Sequence, residues 1–365
     1  MIDVKYIREN KKEVENGIKA KGFKVDIDSV LELDGKRGVL RKQIEELNAE
    51  RKKNAETKNI ETGKKIKEKI AKLENDEKIL DEKIYDILRK LPNLPLPEVP
   101  VGKDEIENVV LREVGEKPKF NFPADILPLS KTLEKNHLEA DAFQVFAGGL
   151  ELIRAGYLDY NEDEMYHLEK DDLYLIGTSE QAIAAMHMNE ILEAKKLPLR
   201  YAGFSSCFRR EAGSYGKDTK GILRVHQFDK IEMFSFFEPE NSKKEHEFLL
   251  SMEEKLMQAL QIPYRVLQMC TGDLGFQAAN KYDIEAWLPG QNQYRETHST
   301  SNDTEFQSRR LNIKYKNLKT GKNEFVHTLN GTAFAIGRMI IAIMENYQQK
   351  DGVVKIPTVL EGYIK

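Results

Sequence analysis

Residues 207–236 read CFRREAGSYGKDTKGILRVHQFDKIEMFSF, two apolar-flanked segments joined by a loop rich in glycine, serine and lysine. Side chains in a strand alternate between faces, so Arg209 and Glu211 are expected to share one face of a hairpin. On the returning segment, one face is expected to carry every second side chain, namely Arg224, His226, Phe228, Lys230 and Glu232. Arginines bind phosphates, an aromatic ring stacks on adenine, and carboxylates bind amines or metals. The hairpin is therefore a candidate ATP site, with a solvated charged face as the alternative explanation.

The composition predicts a soluble, cytoplasmic protein of two or three structural units. The chain has 365 residues, 40% of them hydrophobic and 32% charged. The N-terminus is charged from its third residue and lacks the apolar core of a signal peptide, and no run of residues is apolar enough for a membrane span. The two cysteines, Cys207 and Cys270, lie in apolar segments and have no metal-ligand spacing, so we expect buried, reduced thiols.

Residues 1–98 are predicted to form a helical unit built around an antiparallel hairpin. Apolar residues recur at three- and four-residue spacing over residues 33–57 and again over residues 66–91, with a predicted break at Thr62-Gly63. Each apolar stripe is narrow, so the two helices are expected to cover each other. Residues 51–72, at the predicted tip, hold nine Lys or Arg against three Asp or Glu. A basic tip on a long arm indicates contact with the phosphates of a structured RNA, with a solvated coiled-coil surface as the alternative.

Residues 99–365 are predicted to form a second, α+β domain with an antiparallel sheet flanked by helices. The segment LPNLPLPEVPVG at residues 91–102 holds four prolines and is expected to act as a stiff linker. The predicted strands are 173–176, 201–208, 223–236, 264–269, 284–288 and 293–299. The predicted helices are 180–193, 242–260 and 332–347.

Three further segments carry chemically useful side chains. Thr178 and Glu180 lie where an apolar strand meets a helix, although taken in isolation they are better explained as a helix cap and an acidic residue of the first turn. Glu296 and Ser299 in YRETHSTSN offer oxygens of the kind that Mg²⁺ accepts. Arg338 lies on an otherwise apolar helix, and a buried arginine is costly unless it meets an anion.

Together these motifs make the chain resemble a bacterial-type seryl-tRNA synthetase, a class II aminoacyl-tRNA synthetase. The likeness covers roughly residues 1–122 and 165–365. Its most specific elements are Phe-Arg-x-Glu at 208–211, Thr-x-Glu at 178–180 and NGTAFAIGR at 330–338. The resemblance implies that the protein activates L-serine with ATP and Mg²⁺ to seryl-adenylate and transfers the seryl group to tRNA(Ser). The basic tip at 51–72 would then bind the tRNA.

The resemblance also implies roles for individual residues. Arg209, Glu211 and Arg338 would be catalytic: Arg209 would bind the α-phosphate, Glu211 the nucleotide and Arg338 the γ-phosphate, while Arg224 and Phe228 would flank adenine. The implied ATP-binding set is Arg209, Arg210, Glu211, Arg224, Val225, His226, Gln227, Phe228, Glu296, Thr297, His298, Ser299 and Arg338. The implied serine-binding set is Thr178, Ser179, Glu180, Arg209, Glu232, Asn330 and Thr332. The implied metal ligands are Glu296 and Ser299.

One region departs from the family pattern. Between Phe122 and Tyr166 the family has some fifty further residues, including motif 1 of the dimer interface, and residues 123–165 of this chain contain no clear motif 1. We therefore expect a shortened or rebuilt segment and a homodimer with a rebuilt interface. Two alternatives remain open: a noncatalytic tRNA-binding relative, and a ligase that charges a carrier protein. The second is disfavoured because such relatives lack the long arm.

Overall fold

The computed structural model describes residues 1–57, 59–121, 146–158, 162–212 and 221–364, leaving aside the side chains of residues 55–57 and 146–151. Much of the predicted shortened segment at residues 123–165 lies outside these residues. The chain divides into two compact units, Met1–Leu94 and Pro95–Lys365. Within the described ranges, no helix combines the length and the apolar character that crossing a bilayer requires.

The first unit consists of helices. They are α1 (Val4–Glu9), α2 (Lys11–Ala20), α3 (Ile27–Thr57) and α4 (Ile60–Leu88). Ion pairs between α3 and α4 join Arg37 to Asp81 at 2.7 Å and Arg41 to Glu77 at 2.6 Å. Because the later residue of α3 pairs with the earlier residue of α4, the two helices are antiparallel. The predicted helical hairpin is confirmed, and 29 residues give α4 a length of about 44 Å.

The predicted break at Thr62-Gly63 is wrong, because both residues lie inside α4. The helix instead begins at Ile60, and the side chain of Asn59 caps it by accepting a hydrogen bond from the Thr62 amide at 3.1 Å. The Gly63 amide donates to the Asn59 carbonyl at 3.0 Å. A glycine therefore continues this helix, because a preceding cap and the packing against α3 outweigh its low helix propensity.

The second unit is built on a seven-stranded antiparallel sheet, as predicted. Its strands are β1 (Val109–Val114), β6 (Leu199–Phe208), β7 (Gln227–Phe237), β8 (Tyr264–Gln268), β9 (Asn280–Leu288), β10 (Gln293–Thr304) and β13 (His327–Ala335), in the spatial order β1-β8-β9-β10-β13-β7-β6. Two three-stranded sheets accompany it. One contains β2 (Phe146–Gly148), β4 (Leu173–Leu175) and β3 (Tyr166–Leu168), and the other contains β12 (Asn323–Phe325), β11 (Lys314–Lys316) and β5 (Ile191–Leu192).

The helices of this unit are α5 (Gly149–Ala155), α6 (Glu180–Ala185), α7 (Ser242–Ala259), α8 (Phe306–Leu311) and α9 (Ile336–Tyr347). Two of the predicted helices are too long. The predicted helix 180–193 ends at Ala185, and the predicted helix 332–347 begins only at Ile336, because residues 332–335 belong to β13. These residues are extended because they pair with β7, and this pairing outweighs their local helical pattern.

The two faces of the sheet pack against different elements. On the face that we call the cleft face, register aligns Glu232 with Thr332, and Ser301 with Asn330. The opposite face is covered by α7, whose His246 Nε2 lies 3.1 Å from the carbonyl oxygen of Thr300. Helix α7 buries Leu249, Leu250, Glu253 and Met257 at three- and four-residue spacing, as a packed amphipathic helix does. On the cleft face, Phe234 and Phe236 pack into a hydrophobic core with Ile183 of α6, next to these polar pairs.

Candidate active site

A cavity on the cleft face gathers three of the predicted arginines. Its lining residues are Arg209, Glu211, Ile222, Leu223, Arg224, Val225, Phe228, Lys230, Glu296, Thr297, Thr332, Ala335, Gly337 and Arg338. One group of polar residues lines this cavity, and a second adjoins it through Thr332, which lines the cavity and donates to Glu232 at 3.4 Å. We call Arg209, Glu211, Arg224, Glu296 and Arg338 the arginine end. We call Thr178, Glu180, Glu232, Asn330 and Thr332 the carboxylate end.

The hairpin side chains reach the cavity from beyond the strand ends. Strand β6 ends at Phe208 and β7 begins at Gln227, so Arg209, Glu211 and Arg224 do not lie on strand faces as predicted. Arg224 Nη1 instead forms an ion pair with Glu211 Oε2 at 2.6 Å. The Arg209 guanidinium carbon lies 5.2 Å from the centre of the Phe228 ring, and its Nε donates to the Gly177 carbonyl at 3.3 Å. A cation over a ring and an ion pair hold these long side chains in place.

A β-bulge places Glu296 and Ser299 on one face. In a regular strand, residues three positions apart point to opposite faces. Here the register with β9 shifts between Glu296 and His298, so Glu296 lies opposite Glu285 and Ser299 opposite Asp283, two strand residues that share a face. Thr297, at the bulge, donates its hydroxyl to the Ile284 carbonyl at 3.2 Å. The bulge is what brings two oxygen-bearing side chains to the same side of the cleft.

Positive charge surrounds Glu296. Arg338 Nη1 lies 3.2 Å from Glu296 Oε2 and donates to the Glu296 carbonyl at 3.0 Å. The surrounding protein would raise the pKa of Glu296, but the charges of Arg338, Lys281 and Arg209 outweigh that effect and lower it to about 2. Glu296 is therefore an anion at any ordinary pH.

The oxygen-bearing side chains here can hold a hard cation only if phosphate oxygens and water supply its remaining ligands. In the part of the chain that the structure describes, no three His, Cys, Asp or Glu side chains cluster closely enough to hold a metal ion. Glu296 and Ser299 share a face, and Asp283 hydrogen-bonds to Ser299 and pairs with Lys281 at 3.5 Å. Mg²⁺ commonly takes one or two carboxylates and fills its other positions with phosphate oxygens and water. The set therefore fits Mg²⁺ that arrives with a phosphate ligand.

Glu232 is the centre of the carboxylate end. It is 1% exposed and forms an ion pair with Lys230. Its Oε2 accepts hydrogen bonds from Thr178 Oγ1 at 3.3 Å and from Thr332 Oγ1 at 3.4 Å. These residues come from the loop before α6, from β7 and from β13. Three chain segments thus converge on one buried carboxylate.

Glu180 begins α6 beside this group, and three donors converge on its Oε1. They are the Tyr157 hydroxyl, Asn330 Nδ2 at 3.2 Å and Gln307 Nε2 at 3.3 Å. Burial and the nearby Glu232 charge raise the pKa of Glu180 to about 7, against the opposing effect of these hydrogen bonds. Asn330 also donates to Asp303 Oδ2 at 3.1 Å. The carboxylate end therefore holds an excess of acidic groups close together.

Several predicted residues are positioned differently. The Ser179 hydroxyl donates to the Gly203 carbonyl at 3.0 Å, and His226 is exposed with Nδ1 3.3 Å from the Tyr166 hydroxyl. His298 is fully buried with Nδ1 2.9 Å from Thr297 Oγ1, and burial lowers its pKa to about 4. Arg210 donates its amide to the Glu164 carbonyl, and the exposed Gln227 pairs with Phe208 in the β-ladder. None of these five residues is among those that line the cavity.

Sequence reasoning grouped Lys230 with Phe228 and Glu232 on one strand face but assigned it no role, and it missed three other polar side chains of the site. Tyr157, Asp303 and Gln307 reach the carboxylate end from elements far apart in sequence, and no local pattern distinguishes them from other polar residues.

Comparison with known proteins gives matches along the whole chain. The family described as "Seryl-tRNA synthetase N-terminal domain" matches residues 1–95, and "tRNA synthetase class II core domain (G, H, P, S and T)" matches residues 164–347. A serine–tRNA ligase of Fervidobacterium nodosum is 41% identical, with 100% of this chain and 98% of that protein aligned. One from Dictyoglomus turgidum is 40% identical at the same coverage. The Fervidobacterium alignment spans 418 positions against the 365 residues of this chain, so that relative carries residues that this chain lacks.

Comparison with solved structures also gives matches over the whole chain. The crystal structure of seryl-tRNA synthetase from Pyrococcus horikoshii complexed with ATP superposes with a TM-score of 0.89 at 37% identity, covering 100% of this chain and 98% of that one. The cytoplasmic serine–tRNA ligase of Naegleria fowleri in complex with AMP gives a TM-score of 0.86 at 30% identity, covering 100% and 97%.

Proposed function

The chain belongs to the seryl-tRNA synthetase family, and on that premise we propose which of its residues activate L-serine with ATP and pass the seryl group to tRNA(Ser). The single observation that carries the proposal is the meeting of two opposed sites in one cleft. The arginine end offers three guanidinium groups to phosphates, and the adjoining carboxylate end offers buried acids to an amine and a hydroxyl.

The arginine end binds ATP. Arg209 contacts the α-phosphate, Arg338 contacts the γ-phosphate, and adenine lies between Arg224 and Phe228, beside Glu211. The shared cavity and the position of Arg209 against Phe228 support these assignments. Glu296 and Ser299 would hold Mg²⁺, which neutralises phosphate charge when it is bound with ATP.

The carboxylate end binds L-serine. Glu180 pairs with the α-ammonium group, and Glu232 accepts the hydrogen bond of the substrate hydroxyl with Thr332 and Thr178 around it. Because Glu232 is fully buried, an alanine in the same place would leave its carboxylate without that partner. Discrimination against alanine is therefore expected to be strong, whereas threonine is excluded by size alone.

The reaction requires that serine and ATP be aligned, and it requires no general base. The serine carboxylate is already an anion when it attacks the α-phosphorus; the bond to pyrophosphate breaks and seryl-adenylate forms. Charge neutralisation by Arg209 and Arg338 and alignment of the attack are what the residues supply. A terminal tRNA hydroxyl then takes the seryl group and AMP leaves.

The tRNA contact is assigned to the helical unit. Arg51, Lys52 and Lys53 near the end of α3 are exposed, as are Lys64, Lys67 and Lys69 of α4. Clustered cations at the tip of a long hairpin suit the phosphates of tRNA(Ser). We also propose a cytoplasmic homodimer: the Naegleria relative is described as cytoplasmic, and the edge strand β1 leaves Val109, Val110 and Leu111 more than 40% exposed, a surface that a second chain would cover.

The deciding experiment is serine-dependent pyrophosphate exchange with ATP, followed by charging of tRNA(Ser). Both activities are expected, and light scattering is expected to give the mass of a dimer. Pyrophosphate exchange without tRNA charging would mean that the helical unit or the dimer does not support tRNA binding. Binding of tRNA without exchange would favour the noncatalytic relative, and charging of a carrier protein would favour the third alternative.

A further inference from the structure

Tyr157 lies in a part of the chain that neither matching family covers. The two matches end at residue 95 and begin again at residue 164. Just before Tyr157, α5 ends in a Schellman turn: the Gly156 amide donates to Ile153 at 3.1 Å and the Tyr157 amide donates to Leu152 at 2.9 Å. Gly156 has φ +88°, and a Cβ there would meet the Phe306 ring at 3.1 Å. The turn therefore requires glycine, and it directs Tyr157 inward.

The Tyr157 side chain ends at the carboxylate end of the cleft. It is 6% exposed and its hydroxyl donates to Glu180 Oε1. Gln307 Nε2 reaches the same hydroxyl at 3.1 Å and Gln277 Oε1 at 2.8 Å, and Gln277 Nε2 donates to the Gly156 carbonyl at 3.2 Å. A closed set of hydrogen bonds thus links the Schellman turn to the Glu180 carboxylate.

The geometry leaves one oxygen of Glu180 for a ligand. Three donors converge on Oε1, whereas Oε2 has no hydrogen-bond donor among the described residues. Donors on one oxygen orient a carboxylate and favour its anionic form. An anion with one oriented oxygen to spare suits a substrate ammonium group.

We propose that Tyr157 is a positioning residue for the amino acid: its hydroxyl holds the Glu180 carboxylate oriented and ionised so that Oε2 pairs with the α-ammonium group of L-serine. This inference rests on the proposed function. Burial and the Glu180 charge raise the pKa of Tyr157 well above its ordinary value, so its hydroxyl keeps the proton that it donates. The shortened segment would thus supply part of the amino-acid site.

Tyr157→Phe removes the hydroxyl and keeps the ring. The control is Tyr315→Phe, because Tyr315 is also buried and donates to another carboxylate, Glu324, at 3.2 Å, in the β12-β11-β5 sheet. In pyrophosphate exchange we expect Tyr157→Phe to raise KM for serine about tenfold, with KM for ATP unchanged, and the increase to be larger at pH 6.5 than at pH 8.5. Tyr315→Phe is expected to change neither constant.

A pair of stable probes separates positioning from a merely structural role. They are 5′-O-(N-L-seryl)sulfamoyl adenosine and the same compound without its amine. Tyr157→Phe is expected to weaken the first about tenfold and the second less than twofold, and Gln307→Met, which removes a second donor to Glu180, is expected to do the same to a smaller degree. Equal losses for both probes, or none for either variant, would overturn the inference. Wild-type protein that binds neither probe would overturn the proposed function, and this inference with it.

Discussion

The two ends of the cleft hold carboxylates whose pKa values are shifted in opposite directions. At the arginine end, the charges of Arg338, Lys281 and Arg209 outweigh the desolvating effect of the surrounding protein and lower the pKa of Glu296 to about 2. At the carboxylate end, burial and Glu232 raise the pKa of Glu180 to about 7. One end therefore carries surplus cations and the other surplus acids. Each surplus is the complement of what we propose it binds: phosphates at one end and an ammonium group at the other.

The contrast also concerns how each group is held. The arginine end uses long side chains fixed by ion pairs at the rim of an open cavity, such as Arg224 on Glu211 at 2.6 Å. The carboxylate end uses side chains from three segments that are hydrogen-bonded to one another around the buried Glu232. Loss of an arginine should therefore impair catalysis with little effect on stability. A change at the carboxylate end should affect specificity, pH dependence and stability.

The largest effect is expected from Arg209→Ala. Because this guanidinium would neutralise charge that develops on the α-phosphate, kcat/KM for pyrophosphate exchange should fall about 10³-fold. Arg209→Lys keeps the positive charge but loses the paired N–H donors of the guanidinium group, so it should retain only part of the wild-type kcat/KM. Arg265→Ala is the control, since Arg265 pairs with Glu285 at 2.5 Å outside the cavity. A loss below tenfold in Arg209→Ala would mean that the arginine end does not stabilise the transition state.

Glu296→Gln is expected to lower kcat by about 10²-fold and to raise the Mg²⁺ concentration needed for half-maximal exchange. The substitution removes the anion that orients Arg338 and that would contact the metal. The Mg²⁺ titration is the measurement, with Glu285→Gln on the paired strand as control. An unchanged Mg²⁺ requirement would separate Glu296 from the metal and leave it as a partner of Arg338 alone.

A pH series should distinguish the two ends without any mutation. Because the folded-state pKa of Glu180 is about 7, the anion that binds ammonium is lost as the pH falls through 7. KM for serine should rise towards tenfold per pH unit below pH 7. KM for ATP should stay flat down to pH 5.5, since Glu296 remains ionised. Parallel rises in both constants would abolish the contrast between the two ends.

How well the sequence predicts each part of this structure depends on how far apart in sequence the interacting residues lie. Heptad spacing is local, so it predicted the α3–α4 hairpin; the turn was misplaced because the Asn59 cap and the packing against α3 outweigh a glycine. The arginine end was predicted because its motifs lie in short segments. The strand geometry of the arginine end was not predicted. Strand β6 ends before Arg209, and the bulge at Thr297 depends on the pairing register with β9.

The carboxylate end was predicted less completely because its contacts join distant elements. Thr178, Glu180 and Glu232 were found through motifs, whereas Tyr157 and Gln307 contact Glu180 from 23 and 127 positions away. Burial of a charged residue is equally hard to read from sequence. Glu253 is an example: by composition it belongs to the charged face of α7, yet it is 0% exposed.

The smallest effect we predict concerns Glu253, which extends the acidic excess of the carboxylate end through the sheet. Its carboxylate oxygens have no hydrogen-bond partner within the described ranges, and Oε1 lies against Gly331 of β13. Burial and the Glu232 charge raise its pKa well above 4.5. The folded protein therefore keeps a proton that the unfolded chain loses above pH 4.5, so this group lowers stability as the pH rises.

Glu253→Met replaces the acid with an apolar side chain of similar size. Urea unfolding at pH 8 should give a free energy of unfolding about 2 kcal/mol higher than that of the original protein, and a smaller gain at pH 5. Glu247→Met, on the exposed face of the same helix, is the control and should change stability by less than about 0.5 kcal/mol. A gain that is equal at both pH values would reflect packing alone. A loss at pH 8 would mean that the Glu253 carboxylate has a favourable partner, and that the acidic excess ends at the sheet.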